Sequence, residues 1–123
     1  TQWSSSAASD VYKRQNSEIE LVEVSGALEI PTAIKLLEHQ FDGFIAIGCV
    51  IRGETSHYET VSTESARALT SLGLQKICIA NAILTVENIN QADVRADTKG
   101  LDKGGEASNA LLKILKIKEK AFN

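Results

Sequence analysis

One stretch of the chain gathers the residue types that proton transfer and phosphate binding need: Arg52-Gly53-Glu54-Thr55-Ser56-His57. Histidine exchanges protons near neutral pH. Glycine lets a ligand come close to the backbone. The N–H groups of Gly53, Glu54 and Thr55, with the Thr55 hydroxyl, suit a phosphate when a helix follows. A plainer reading stands beside this one, since a lone loop histidine is more often simply exposed. Arg52 by itself is more often a surface or salt-bridged arginine than a ligand. Two more cations, Arg95 and Lys103, lie in and beside a second glycine-rich stretch. A guanidinium matches a phosphate dianion well, and the alternative is two solvated charges. A third element is Gly26-Ala27-Leu28-Glu29-Ile30-Pro31. Glu29 there either accepts hydrogen bonds from a polyol or simply places a charge at a helix N-terminus.

These residues need a frame, and the hydrophobic pattern supplies one. Residues 19–24 read as a short strand that Ser25-Gly26 ends. Pro31 is the only proline and suits the first position of a helix to about His39, which would bury Ala33, Ile34, Leu36 and Leu37. Residues 43–51 are apolar on both faces, as a parallel strand covered on both sides requires. A polar loop to Tyr58 follows, then a helix from Thr60 to Leu72 with Val61, Ala66, Ala68 and Leu69 inward and Gly73 as its stop. Residues 77–84 form a third strand, with Thr85 placed to cap a short helix. A polar loop over residues 97–105 leads to a last helix from Glu106 to Lys120, whose apolar stripe is Ala107, Ala110, Leu111, Ile114, Leu115 and Ile117. Strands alternating with helices give an α/β fold with a mostly parallel sheet. Such sheets bind ligands at the carboxyl ends of their strands. That rule puts the segments after Val24, Ile51 and Leu84 in the site.

The bulk properties narrow the function classes. A chain of 123 residues makes one domain. Aromatic residues are 5% of it, so Ile, Leu, Val and Ala must build the core. A net charge of -3 speaks against a nucleic-acid binder, which needs a basic face. No apolar run is long enough to span a bilayer, and the first residues carry no apolar signal core. Cys49 and Cys78 sit in apolar runs without metal-ligand spacing and read as small core residues, in keeping with a reducing cytoplasm. Residues 1–16, with Ser4-Ser5-Ser6-Ala7-Ala8-Ser9, have no clear period and read as a non-native or disordered tail, leaving a domain over residues 17–123.

Four segments carry a resemblance to a known family. They are residues 26–31, the run Gly48-Cys49-Val50-Ile51-Arg52-Gly53-Glu54-Thr55-Ser56-His57-Tyr58, then Ile83-Leu84-Thr85-Val86-Glu87-Asn88, then Asp102-Lys103-Gly104-Gly105-Glu106-Ala107. In this order they resemble the lumazine synthases of riboflavin biosynthesis. The resemblance implies a three-layer α/β/α domain with a flavodoxin-like sheet, here without the family's first strand and helix. It implies condensation of 5-amino-6-(ribitylamino)uracil with 3,4-dihydroxy-2-butanone 4-phosphate, with no cofactor and no metal. By the same resemblance His57 is the proton carrier, and Gly53, Glu54 and Thr55 bind the phosphate together with Arg95. Lys103 lies close to the pocket, Ala27, Leu28 and Glu29 hold the ribityl chain, and Val50 and Ile51 read the pyrimidine edge. Asn81, Arg95 and Lys103 would come from the neighbouring chain of a homopentamer. The aromatic ring that stacks on the pyrimidine has no match in residues 1–17, so this chain is expected to be weakly active or inactive. Two rival functions share the fold: a non-catalytic flavin-binding or assembly protein, and a pentameric riboflavin synthase.

Overall fold

The computed structural model describes residues 18–53, 56–97 and 102–122. Its elements, in chain order, are a 3-10 turn over Ala27–Glu29, α1 (Ile30–Leu36), β1 (Phe44–Ile51), α2 (His57–Leu74), β2 (Ile79–Val86), α3 (Ile89–Ala96) and α4 (Lys103–Phe122). The two strands pair in parallel, with Phe44 opposite Ile79 and Ile51 opposite Val86.

Side chains alternate across the sheet, as strand geometry dictates. Phe44, Ala46, Ile79 and Ile83 face one way and pack with Ile30, Ile34, Leu69 and Leu72 of α1 and α2. Ile45, Ile47, Cys78, Ala80 and Ala82 face the other way, against Ala107, Leu111 and Leu115 of α4. Leu84 and Val86 close the carboxyl end of β2 over Ala92 and Ala96 of α3. Both faces of the sheet are therefore covered by helices, which is why the strands are apolar on both sides.

The hydrogen-bond direction is also fixed. The N–H of Phe44 donates to Cys78 O and that of Arg52 to Val86 O. Even-numbered residues of β1 and β2 thus bond each other, and odd-numbered ones point to the two outer edges. Among the described residues no strand covers the outer edge of β1. The strand expected over residues 19–24 is not formed: Ile19, Leu21, Val22 and Val24 stand exposed in extended coil. A strand lives on a neighbour's ladder, and Glu18, Glu20 and Glu23 keep this segment solvated without one.

Several boundaries move for physical reasons. Helix α2 starts three residues before the expected Thr60, with Thr60 N–H closing its first turn on Ser56 O. It does not stop at Gly73, which lies inside the last turn. The left-handed residue that ends it is Lys76 (φ 72°), with Ile77 N–H reaching back to Leu72 O. Strand β2 runs on through Thr85, so Thr85 caps nothing. Asn88 is the cap of α3, its Oδ1 accepting from Gln91 N–H at 3.0 Å. Helix α4 begins at Lys103 rather than Glu106, because the Asp102 carboxylate accepts from Gly105 N–H at 3.2 Å and turns two glycines into helix. The inward faces shift as well. Ile30 and Ile34 are buried on α1 while Leu36 is 76% exposed; on α2 Ala66 is exposed and Ser65 and Leu72 are buried; on α4 Ala110, Ile114 and Ile117 are exposed. Cys78 is buried and Cys49 half-buried, and both are free thiols. Burial pushes the Cys49 thiol pKa up, so it sits as an inert packing group.

Candidate active site

The carboxyl end of β1 is where the sequence placed the chemistry. Val50 is half-buried there, and Ile51 is exposed at the strand's last position. Ile51 is odd-numbered, so its N–H and C=O point away from β2 (see the ladder above). Gly53 follows, exposed, and no other part of the chain lies within 4 Å of where its Cβ would stand. Glu54 and Thr55 lie outside the described residues. His57 is the first residue of α2 and is exposed. It belongs to the helix's first turn rather than to the loop expected for it. An 18-residue helix thus opens shortly after Gly53, and its dipole gives that corner a positive partial charge.

The Ala27–Glu29 turn reaches the same end. Ile30 Cδ1 lies 3.8 Å from where a Gly48 Cβ would be, so α1 starts against the second half of β1. Glu29 N–H donates to Gly26 O, and Glu29 Oε2 lies over Gly26, 3.1 Å from the position of a Cβ there. A side chain at residue 26 would push the carboxylate away. Ala27 is half-buried, and Leu28 and Glu29 are exposed to whatever occupies the corner.

Arg52 is a salt-bridged arginine, as its residue type favoured, and it holds this corner together through partners that the sequence did not name. Its Nε donates to Glu87 at 3.0 Å and its Nη1 to Glu59 at 2.5 Å. Its guanidinium lies over the Tyr58 ring, 4.5 Å from the centroid. The Glu59 carboxyl is held below its ordinary range, first by a backbone hydrogen bond and next by Arg52. The bonds to Glu59 and then Glu87 keep the guanidinium charged.

The remaining expected residues stand elsewhere. Asn81 is on β2 opposite Ala46, on the α2 side of the sheet. Its Oδ1 accepts from Ile83 N–H at 2.8 Å, one of the outward-pointing groups of that edge. With Ser62, Ser65, Ala66, Ile83 and Thr85 it lines a groove of about 230 Å³. At about 3.3 Å per residue it lies roughly 16 Å from the end of the strand. Arg95 is in the last turn of α3 and donates to Gln91 O at 3.1 Å. Lys103 opens α4 and pairs with Glu106 at 3.3 Å. The structure brings Ala27, Leu28, Glu29, Val50, Ile51, Gly53 and His57 to one corner, and sets Asn81, Arg95 and Lys103 on other elements. Among the described residues no group of three or more acidic, cysteine or histidine side chains is placed to hold a metal. No helix there is long and apolar enough to cross a membrane.

Comparison with known proteins now adds to the geometry. A family profile described as 6,7-dimethyl-8-ribityllumazine synthase matches residues 2–119. That span takes in most of residues 1–16, which lie outside the described residues. Among curated proteins, the 6,7-dimethyl-8-ribityllumazine synthase of Novosphingobium aromaticivorans is 52% identical over 110 residues, covering 88% of this chain and 79% of the relative. The protein of that name from Sphingopyxis alaskensis is 54% identical, over 81% of this chain and 72% of the relative. The one from Jannaschia sp. is also 54% identical, over 80% of this chain and 56% of the longer relative.

Proposed function

The chain belongs to the 6,7-dimethyl-8-ribityllumazine synthase family, and from that premise we propose how its residues divide the work. It is an enzyme of riboflavin biosynthesis. Its reaction joins 5-amino-6-(ribitylamino)uracil to 3,4-dihydroxy-2-butanone 4-phosphate and releases phosphate and water. The substrate amine is itself the nucleophile, so the protein need only orient two molecules, bind the departing phosphate and move protons. Orientation alone supplies much of such a rate.

The phosphate sits on the amides of Gly53, Glu54 and Thr55 at the start of α2, where the helix dipole favours an anion. His57, the first residue of that helix, carries the proton between amine, carbonyl and leaving group. Glu29 accepts hydrogen bonds from ribityl hydroxyls, and Ala27 and Leu28 shape the channel beside it. Val50 and Ile51 read the pyrimidine edge, and the ladder parity sharpens this: the Val50 amide is turned towards β2, so Ile51 offers the open N–H and C=O.

Arg95, Lys103 and Asn81 act on the corner of a neighbouring copy in a homo-oligomer, a pentamer in this reading. Two observations support it. These residues stand on elements other than the one that carries His57, and Leu36, Leu74, Val94 and Ile117 are each more than half exposed, apolar side chains that neighbours would cover. The two parallel strands belong to a flavodoxin-like three-layer fold in this reading.

The family match carries the reading, and subunit complementation tests it. His57→Ala and Arg95→Ala chains are each assayed alone with both substrates, then unfolded, mixed and refolded together. Mixed assemblies regain lumazine formation when one site draws His57 and Arg95 from different chains. An unsubstituted chain that neither forms lumazine nor binds either substrate refutes the function, and inactivity of the mixture beside an active unsubstituted chain refutes the shared site.

A further inference from the structure

Arg52 meets three neighbours from two elements. Glu59 and Tyr58 are in the first turn of α2, directly after His57, and Glu87 leads out of β2. Its own backbone N–H extends the ladder to Val86 O, so the anchor from which it reaches is rigid. The bonds continue past Glu87. Glu87 N–H donates to Gln91 Oε1 at 2.8 Å, and Gln91 O accepts from Arg95. One connected set of hydrogen bonds therefore runs from the start of α2 to the guanidinium at the end of α3.

Two carboxylates hold one guanidinium here. The cluster carries no net positive charge to offer a phosphate, although it stands one residue from Gly53. Its Nε and Nη1 are engaged by the two carboxylates, and its flat face lies on Tyr58. Arginine is needed for this, because lysine cannot bond two carboxylates in a fork and stack on a ring at once.

We propose that Arg52 is a positioning residue of the lumazine synthase reaction. Held by Glu59 and Glu87, it fixes the first turn of α2, and with it His57, relative to the end of β1, and it does not bind the phosphate. This rests on the family reading of His57 as proton carrier. Each pair is exposed, and such pairs alone are weak; the effect on rate comes from placement, since a shift of about 1 Å in a reacting group can cost up to about a hundredfold.

The test uses the full chain with Arg52→Gln, Arg52→Lys, Glu59→Gln, Glu87→Gln and the double carboxamide variant, all conservative in shape. Turnover, KM for the phosphate-bearing ketone and thermal midpoint are measured for each. Arg52→Gln and the double carboxamide variant should each lower kcat by about three- to tenfold, within the range that exposed networks and misplacement allow. KM for the ketone should stay within about twofold, a margin set by the loss of only weak exposed pairs. Combining Arg52→Gln with the double carboxamide variant should cost no more than either, and Arg52→Lys should not restore the rate. A selective rise in KM on Arg52→Gln, with the carboxamide variants silent, would make Arg52 a phosphate ligand and overturn the proposal. So would an unchanged kcat in all five variants, or a kcat loss that merely follows the thermal midpoint. An unsubstituted chain that neither forms lumazine nor binds either substrate would instead refute the function on which the proposal rests.

Discussion

Two glycine-containing helix starts meet the same need in opposite ways. At the end of β1, Arg52 bonds side chains from the next helix and the next strand end. At the start of α4, side-chain bonds stay local, as from Gly105 N–H to Asp102, from Lys103 to Glu106 and, on neighbouring α3, from Arg95 to Gln91. One backbone bond, Asp102 N–H to Asp97 O, joins α4 to the end of α3. Bonds between elements fix a corner within one chain. Bonds within one helix only aim a side chain along its own surface, ready for something outside. In the proposed reading, the first region is the half of a site that must be exact in its own chain, and the second the half presented to a neighbour.

The largest effect expected from this difference is on activity. His57→Ala should lower kcat by about a hundredfold or more, the scale of a lost general acid–base. Arg95→Ala should act chiefly on the phosphate-bearing substrate, raising its KM. Steady-state kinetics with each substrate varied in turn separates the two. Arg95→Ala without effect would break the comparison, because α3 would then present nothing.

The glycines sharpen it next. A Cβ at residue 105 would stand 2.3 Å from Asp102 Oδ2, inside the cap that starts α4. Gly105→Ala should push that carboxylate off and cost about 1–2 kcal/mol, the value of a good N-cap, read as a lower thermal midpoint. Gly53 has open space around its Cβ position and no positive φ. Gly53→Ala should leave the midpoint unchanged and instead weaken binding of inorganic phosphate and of the ketone phosphate. The reverse pattern would exchange the roles given to the two glycines.

The sequence was most informative where one chemical pattern decides the structure. Residues 43–51 and the run before Thr85 are apolar on both faces, and both became the parallel strands of a sheet covered on both sides. It was least informative at ends of elements, where one hydrogen bond decides. Gly104-Gly105 reads as a loop until the Asp102 cap is seen. Asn88 and Gln91 stand at the three-residue spacing of a cap pair, yet Thr85 drew the assignment because a strand's last residues carry no signal of their own. At the end of β1, it was legible from residue order that Gly53 and His57 would stand where that strand gives way to the next helix, as they do. The Arg52 network was not, since its partners lie seven and thirty-five residues along the chain and only the fold brings them together. Residues 19–24 show the limit of periodicity: alternation marks what can be a strand, but a ladder partner makes one.

Asn88 offers a smaller and more local test. Its side chain accepts from Gln91 N–H, and Gln91 Oε1 accepts in turn from Glu87 N–H. Asn88→Ala should cost about 1 kcal/mol of stability. It should also raise KM for the phosphate substrate slightly, because Arg95 is bonded to the Gln91 carbonyl. A loss of stability with Arg95 chemistry untouched would separate the cap from the site.

The smallest expected effect is that of pH on the Arg52 clamp. The Glu59 carboxyl is depressed from its ordinary 4.5 in the folded chain. A depressed carboxylate stabilises the fold above the unfolded-state pKa, and that contribution is lost as pH falls through the folded value, because the unfolded chain takes up its proton first. The thermal midpoint of Glu59→Gln should therefore lie slightly below that of the unsubstituted chain at neutral pH, with the gap closing below about 4.5. High salt should narrow the gap as well, since the pair is exposed and screened. The α4 start supplies the control, because Glu106→Gln removes only an exposed pair one turn along its own helix and should leave kcat near neutral pH as it was. A drop in kcat for Glu106→Gln as large as for Glu59→Gln would mean that both regions fix the corner within one chain, and the contrast between them would fall.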